Sequence, residues 1–305
     1  MPDSPLQSAG AAPSGSAFDL HDAMAYRRWR DARLAAAPTR IEELIVEVDD
    51  PRHLRESERQ ALLERCRRAN MAIYASRTGD DPDKSIPLRL GAALGLHRLD
   101  ANPGADADAV TALKVQSDAR HAGYIPYTDR PLAWHTDGYY NAPDRQIRGM
   151  LLHCVHPAAA GGDNALLDHE LVYCRVRDRD PDLIRALMDP QCLTIPANAA
   201  EEAGDATRPD RSGPVFSVAA DGRLHMRYTH RTRHIRWRDD PLVAAAVTCL
   251  KDVLQDLGER CLQARLESGW GLVCNNVLHT RTGFADGPVA RLLYRARYYD
   301  RIGET

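Results

Sequence analysis

One spacing constrains this chain more than any other: Trp134-His135-Thr136-Asp137-Gly138-Tyr139-Tyr140, then Val277-Leu278-His279-Thr280-Arg281 far downstream. On an extended segment, side chains two residues apart point the same way, so His135 and Asp137 share a face. If the chain brings His279 to that face across 279 − 137 = 142 residues, the result is two imidazoles and a carboxylate around one point. Such a set holds an octahedral metal ion by three positions and leaves the opposite positions open. The bland alternative for the His-x-Asp pair alone is a strand-end histidine hydrogen-bonded to a nearby carboxylate.

A second pattern lies 291 − 279 = 12 residues beyond the last histidine. Val289-Ala290-Arg291-Leu292-Leu293-Tyr294-Arg295-Ala296-Arg297-Tyr298-Tyr299 alternates apolar and arginine positions, which predicts a strand with Arg291, Arg295 and Arg297 on one face. An inward row of guanidiniums requires anionic partners, and a carboxylate fits the guanidinium fork in bidentate fashion. Arg297, nearest the strand's end, is the member expected to serve as a salt-bridged structural residue if a bulge or the end of the strand shifts the pattern. Two imidazoles, one carboxylate and open positions are the ligand set of non-heme Fe(II) oxygenases. A catalytic zinc site also takes two histidines and a carboxylate, but a zinc hydrolase has no use for Arg291. A non-catalytic metal-binding or 2-oxoglutarate-binding protein is the third class.

With these residues in view, the chain resembles the TauD/TfdA superfamily of Fe(II)- and 2-oxoglutarate-dependent dioxygenases, taurine dioxygenase and the γ-butyrobetaine hydroxylase-like enzymes among them. The resemblance rests on the His-x-Asp, the distant histidine, the arginine about a dozen residues later, and Leu151-Leu152-His153-Cys154 leading to Gly161-Gly162-Asp163-Asn164; it covers roughly residues 41 to 301. It implies a double-stranded β-helix (jelly-roll, cupin-like) core with outer helices, whereas periodicity alone supports only mostly β with flanking helices, an α+β chain. It also implies His135, Asp137 and His279 as Fe(II) ligands and Arg291 as partner of the distal carboxylate of 2-oxoglutarate. Asn164 stands where the family pattern has a threonine that helps hold that carboxylate, and its amide would donate instead. Arg295 matches the arginine that binds the substrate's anionic group. Pro131 replaces an asparagine of the taurine enzyme, so taurine itself is not the expected substrate. Tyr124, Tyr127, Tyr139 and Asn141 are the expected substrate lining. The reaction implied consumes O2, releases succinate and CO2, and hydroxylates or desaturates a small anionic metabolite. Asp137 argues against halogenation, because related halogenases replace that carboxylate with a small residue.

With 305 residues, 44% of them apolar and 27% charged, the chain can bury one large core. A formal charge of −3 gives no general case for nucleic acid or membrane surfaces as partners. No apolar run approaches a membrane span, and no signal peptide is evident. Seven cysteines without a C-x-x-C spacing predict reduced, buried thiols in a cytoplasmic protein. A homo-oligomer is compatible with this composition.

Residues 1 to 17 read as a disordered tail and 18 to 305 as a single domain, with a brace over 18 to 110 and the core with insertions over 111 to 301. Helices are expected over 20–37, 57–69, 82–96, 180–188 and 240–257, the last with Leu242, Ala245, Ala246, Cys249, Val253 and Leu257 as its apolar stripe. Strands are expected over 41–48, 71–76, 112–117, 147–156, 163–167 and 270–278, with a hairpin about Asp221-Gly222. Residues 193 to 213 read as an irregular insertion, a surface loop or a lid. The basic run Arg227 to Arg238 is solvated charge, anion capture at a site mouth, or a nucleic-acid contact, the last disfavoured by the net negative charge.

Overall fold

The computed structural model describes residues 15–101, 108–116, 125–197, 208–231, 235–256, 258–303 and 305. The expected tail falls mostly on residues 1–14, outside the described residues; Ala17, by contrast, is anchored, its carbonyl accepting from Arg177 Nη1 at 2.6 Å.

The architecture is mixed α/β, with several sheets and helices packed outside them. The strands of the two larger sheets are numbered here in chain order: β1 Ile45–Val48, β2 Met71–Ser76, β3 Thr111–Leu113, β4 Leu132–His135, β5 Gly149–His156, β6 Asn164–Leu167, β7 Leu262–Ala264, β8 Trp270–Cys274, β9 Leu278–Arg281 and β10 Leu292–Tyr298. Six of them form one sheet in the order β1-β2-β8-β5-β10-β3, and four form the other in the order β7-β6-β9-β4. Only the β1–β2 pair of the large sheet is parallel. Residues 41–48, expected as one strand, divide into a 3-10 turn over Ile41–Leu44 followed by β1.

Alternation along β10 fixes what lies between the sheets. Leu293 and Arg295 pair with Cys154 and Leu152 of β5, and Arg297 pairs with Met150. Met150, Leu152, Cys154 and Leu293 join Leu166, Leu262 and Ala264 of the small sheet in one apolar cluster. Ala296 and Tyr298 point the other way, into a cluster with Leu62, Leu63 and Leu90. The arginines of β10 are thus directed by period 2 into the space between the sheets.

Five of the six helices among the described residues begin where an acidic side chain caps the first turn, α3 being the exception. Asp22 Oδ1 accepts from Ala25 N at 2.8 Å to open α1 (Ala23–Ala36). Glu58 reaches back to Arg55 N at 2.8 Å at the start of α2 (Glu56–Ala69). Next come α3 (Ser85–Ala93), α4 (His169–Arg179), α5 (Pro181–Leu187) and α6 (Pro241–Gln255). Pro181 and Pro241 stand at first helical positions. Helix α4 gives no amphipathic signal because it is buried nearly all round, from His169 to Cys174 and at Val176 and Arg177. Of the stripe expected on α6, Ala246, Cys249 and Val253 are buried, Leu242 and Ala245 are exposed and Leu257 lies outside the described residues, while Val243, Val247, Leu250 and Leu254 complete the buried face.

Two more expectations are corrected. Residues 270–278 do not form one strand; β8 ends at Cys274, and Asn276 turns the chain with φ +51° so that β9 enters the other sheet. Residues 193–213 are not wholly irregular, since Leu193–Ile195 pairs antiparallel with Arg211–Gly213; 198–207 lie outside the described residues. All seven cysteines are free and six are buried. Among the described residues no helix is long and apolar enough to cross a membrane.

Candidate metal centre

Strand β4 ends on His135, and β9 places His279 directly across from it in antiparallel register. The two rings lie 4.2 Å apart between centroids, inclined at 50°. Asp137 lies two residues past the end of β4, not on the strand as its spacing suggested. Its alignment comes from a neighbouring segment: Thr229 bridges to His135, and Thr136 N donates to Tyr228 O at 3.0 Å while Thr136 Oγ1 accepts from Tyr228 N at 3.0 Å. The start of the basic run therefore lies as an edge partner along the His-x-Asp segment.

His135 Nε2 is 3.9 Å from Asp137 Oδ1, and one ligand atom from each of His135, Asp137 and His279 lies within 4.8 Å of the other two. Both histidines orient alike. His135 Nδ1 sits 2.8 Å from Ala133 O and His279 Nδ1 sits 3.0 Å from Val277 O, contacts in which Nδ1–H donates and Nε2 keeps its lone pair for an ion. Burial, and then the neighbouring His279, push the His135 imidazole down to about 3, so it is neutral near pH 7. Burial likewise lowers His279. For Asp137, burial would favour the neutral acid, but the Arg295 and Arg297 guanidiniums and the histidines hold the carboxyl below the usual carboxylate range. Asp137 Oδ2 is buried and has no hydrogen-bond partner among the described residues. A buried carboxylate oxygen without a partner is costly unless a cation completes it. The donor set fits Fe(II).

Arg295 Nη1 lies 3.3 Å from Asp137 Oδ1, so the arginine expected at the substrate also stands beside a ligand. Arg297 is bonded to Asp100 and donates to Tyr140 Oη at 2.8 Å, the salt-bridged role foreseen for the member nearest the strand's end. Arg291 lies just before β10, ahead of a bulge at Leu292/Leu293. Its guanidinium stacks 4.9 Å from the Phe284 ring centroid, and its buried Nη1 has no partner among the described residues.

Arg291 and Asn164 line one small cavity together with Gly161, Gly162 and Arg265. Gly161 has φ +69°, and a Cβ there would meet Gly283 O at 2.2 Å, so the Gly-Gly turn is what admits this close backbone approach. A buried cation with an open Nη1 on a cavity is what a carboxylate of 2-oxoglutarate would complete. Asn164 Nδ2 already donates to Thr280 O at 2.8 Å, which ties β6 to β9.

Among the expected lining residues, Tyr127 is buried in the cluster between the sheets. Tyr139 packs on the α4–α6 cluster, and its carbonyl accepts from Arg227 Nε at 2.7 Å. Asn141 Nδ2 donates to Arg145 O at 2.9 Å, bracing the turn after Asp137. Tyr124 lies outside the described residues. Asp100, Tyr140 and Thr229 also serve the site, and the sequence carried no local signal for any of them.

A family model, taurine catabolism dioxygenase TauD, TfdA family, matches residues 78–297. The chain belongs to the TauD/TfdA family. The family is one of Fe(II)- and 2-oxoglutarate-dependent oxidoreductases, in keeping with the donor set at His135, Asp137 and His279. A uridine-5'-phosphate dioxygenase from Amycolatopsis sp is 32% identical over 196 residues, 61% of this chain and 66% of that protein. Another from Streptomyces sp is 30% identical over 204 residues, 63% of this chain and 69% of that protein. The first match thus spans slightly less than two thirds of its relative. Among solved structures, the non-heme iron oxygenase OrfP in complex with Fe and alpha-ketoglutaric acid aligns with a TM-score of 0.57 at 18% identity, covering 80% of each chain, a likeness of fold.

Proposed function

We propose that the chain is an Fe(II)- and 2-oxoglutarate-dependent dioxygenase acting on a small phosphorylated metabolite of the nucleoside monophosphate class, with uridine 5'-phosphate the first candidate. The observation that carries the reaction class is the register of His135 opposite His279, with a carboxylate oxygen of Asp137 within 4.8 Å of a nitrogen of each ring. His135, Asp137 and His279 hold the metal, and Arg291 takes the distal carboxylate of 2-oxoglutarate with Asn164 beside it. Bound Fe(II) and 2-oxoglutarate supply oxygen activation, using O2, releasing succinate and CO2, and leaving a substrate C–H bond hydroxylated or desaturated. A zinc hydrolase on the same triad would leave the buried Arg291 guanidinium without a purpose.

The substrate class draws on two supports. The relatives from Amycolatopsis and Streptomyces are uridine-5'-phosphate dioxygenases. Cations also act on the turn after Asp137: Arg231 acts electrostatically on Tyr139, and Arg208, whose guanidinium donates to the Ile195 and Pro196 carbonyls, on Tyr139 and Tyr140. In this reading Arg295, Tyr139 and Asn141, with Tyr124 and Tyr127, contribute to the substrate side. The two sheets are read as the halves of a double-stranded β-helix, residues 18–305 as one domain, and the seven free thiols as those of a cytoplasmic protein.

The test is succinate release under Fe(II), ascorbate and O2 with uridine 5'-phosphate, other nucleoside monophosphates, uridine and taurine compared. Turnover with a nucleoside monophosphate and none with uridine is expected. Equal turnover of uridine would remove the phosphate from the reading, and failure to bind 2-oxoglutarate would remove the reaction class.

A further inference from the structure

Asn276 sits in the turn between β8 and β9, three residues before His279, and its side chain reaches across 276 − 137 = 139 positions to the other arm of the metal centre. Its Oδ1 accepts from Asp137 N at 2.8 Å, and its Nδ2 donates to Asp137 O at 3.0 Å and to Ile147 O at 2.7 Å. One amide thus holds both backbone polar groups of Asp137. Asn276 is 1% exposed and adopts φ +51°, a left-handed conformation uncommon for any residue but glycine and least costly for asparagine.

From this geometry we infer that Asn276 is a positioning residue for the metal centre, setting where the Asp137 carboxylate stands relative to His279. The inference rests on the assignment of His135, Asp137 and His279 as ligands. Asp137 needs such support because it lies beyond β4, and among the described residues no strand pairs with it. Its neighbour Gly138 has φ +64°, so the chain turns away from the strand direction at once. Asn276 provides the fixed point, and because the same turn feeds β9, one residue sets the separation between the carboxylate and His279. The adjacent Asn275 works in the opposite direction. Its Nδ2 donates to Asn70 Oδ1 at 3.1 Å and to Thr305 Oγ1 at 2.9 Å, and its Oδ1 accepts from Ile302 N at 3.1 Å, all outside the site. Asn275 anchors the turn to the rest of the fold, and Asn276 anchors Asp137 to the turn.

The two roles separate experimentally. Metal-free wild type, Asn276→Gly, Asn275→Ala and His135→Ala would be titrated with Mn(II), the free ion read by electron paramagnetic resonance, with thermal unfolding of each metal-free protein recorded alongside. Glycine tolerates the left-handed backbone, so Asn276→Gly removes the amide without adding strain. The expected result is Mn(II) affinity about 10- to 100-fold weaker in Asn276→Gly, the usual range when a group that orients a ligand is lost. Asn275→Ala should unfold at lower temperature yet keep its Mn(II) affinity within about twofold of wild type. Wild-type affinity in folded Asn276→Gly, with binding lost in His135→Ala, overturns the positioning role alone. Binding unmoved in His135→Ala overturns the ligand assignment and this inference with it. If Asn276→Gly does not fold, Asn276→Asp, which keeps the acceptor and loses the donors, replaces it in the same titration. If neither variant folds without metal, Asn276 closes the fold rather than positioning a ligand, and the inference fails.

Discussion

His279 stands directly across the β4–β9 pair from His135, and each ring directs Nδ1 to the carbonyl oxygen two residues behind it. Two imidazoles aligned this way present Nε2 to a common point, and both are held neutral by burial. His135→Ala, Asp137→Ala and His279→Ala should therefore each abolish Fe(II)-dependent turnover and weaken metal uptake by at least about 100-fold while the protein still folds. Anaerobic Fe(II) titration checks this, and full uptake in any one variant would show that its residue is not a ligand.

The three inward arginines of the β10 segment should separate by phenotype. Loss of a charge-assisted carboxylate partner in a partly buried site costs about 2 to 5 kcal/mol, so Arg291→Ala should raise the apparent 2-oxoglutarate constant by roughly 30-fold or more. Arg295→Ala should weaken the primary substrate and also metal binding, because Arg295 lies 3.3 Å from Asp137 Oδ1. Arg297→Ala strands Asp100 in the interior and should cost about 3 to 5 kcal/mol of stability. Unchanged 2-oxoglutarate affinity in Arg291→Ala, with loss in Arg295→Ala, would place the cosubstrate two turns of the pleat away from this assignment.

At Gly138 an added Cβ would meet Ile147 Cγ1 at 2.3 Å, on a backbone with φ +64°. Gly138→Ala should therefore displace the Asp137 turn, lower stability by about 1 to 3 kcal/mol, and weaken metal binding. Thermal unfolding together with Mn(II) titration tests it; a melting temperature and an affinity equal to wild type would mean that the turn yields freely.

Acid should unfold the protein through histidines remote from the metal. Burial pushes His153 and His169 down to about 4 and His225 well below its ordinary value. The sign follows from linkage: below pH 6.5 the unfolded chain takes up protons that the folded chain refuses until about pH 4, so stability falls as pH drops through that window. For His153 the interval amounts to roughly 3 kcal/mol at about 1.4 kcal/mol per pH unit. Denaturant melts of wild type and His153→Gln from pH 7 to pH 4 should show a shallower decline in the variant. Parallel curves would rule out His153 as a contributor.

The residue types and spacings in the chain carried the chemistry. His135, Asp137 and His279 were legible as a cluster because a metal demands a short menu of side chains, although Asp137 reaches it from beyond β4 and not by strand period. Alternation placed the Arg295 and Arg297 face of β10, while β5 showed as a continuous apolar run. Partner choice was not legible, since it is made between residues far apart in sequence. Nothing near Arg295 said that it would meet Asp137, nothing near Arg297 named Asp100, and nothing near Asn276 pointed to the backbone of Asp137. Helix α4 and the turn that splits β8 from β9 were hidden for a related reason. A segment buried on all sides shows no periodic contrast, and a left-handed asparagine leaves the apolar pattern around it intact. Local sequence determined which groups the chain brings to its site; the packing of two sheets decided which of them touch, because only closure of the long connections puts those groups within hydrogen-bonding distance.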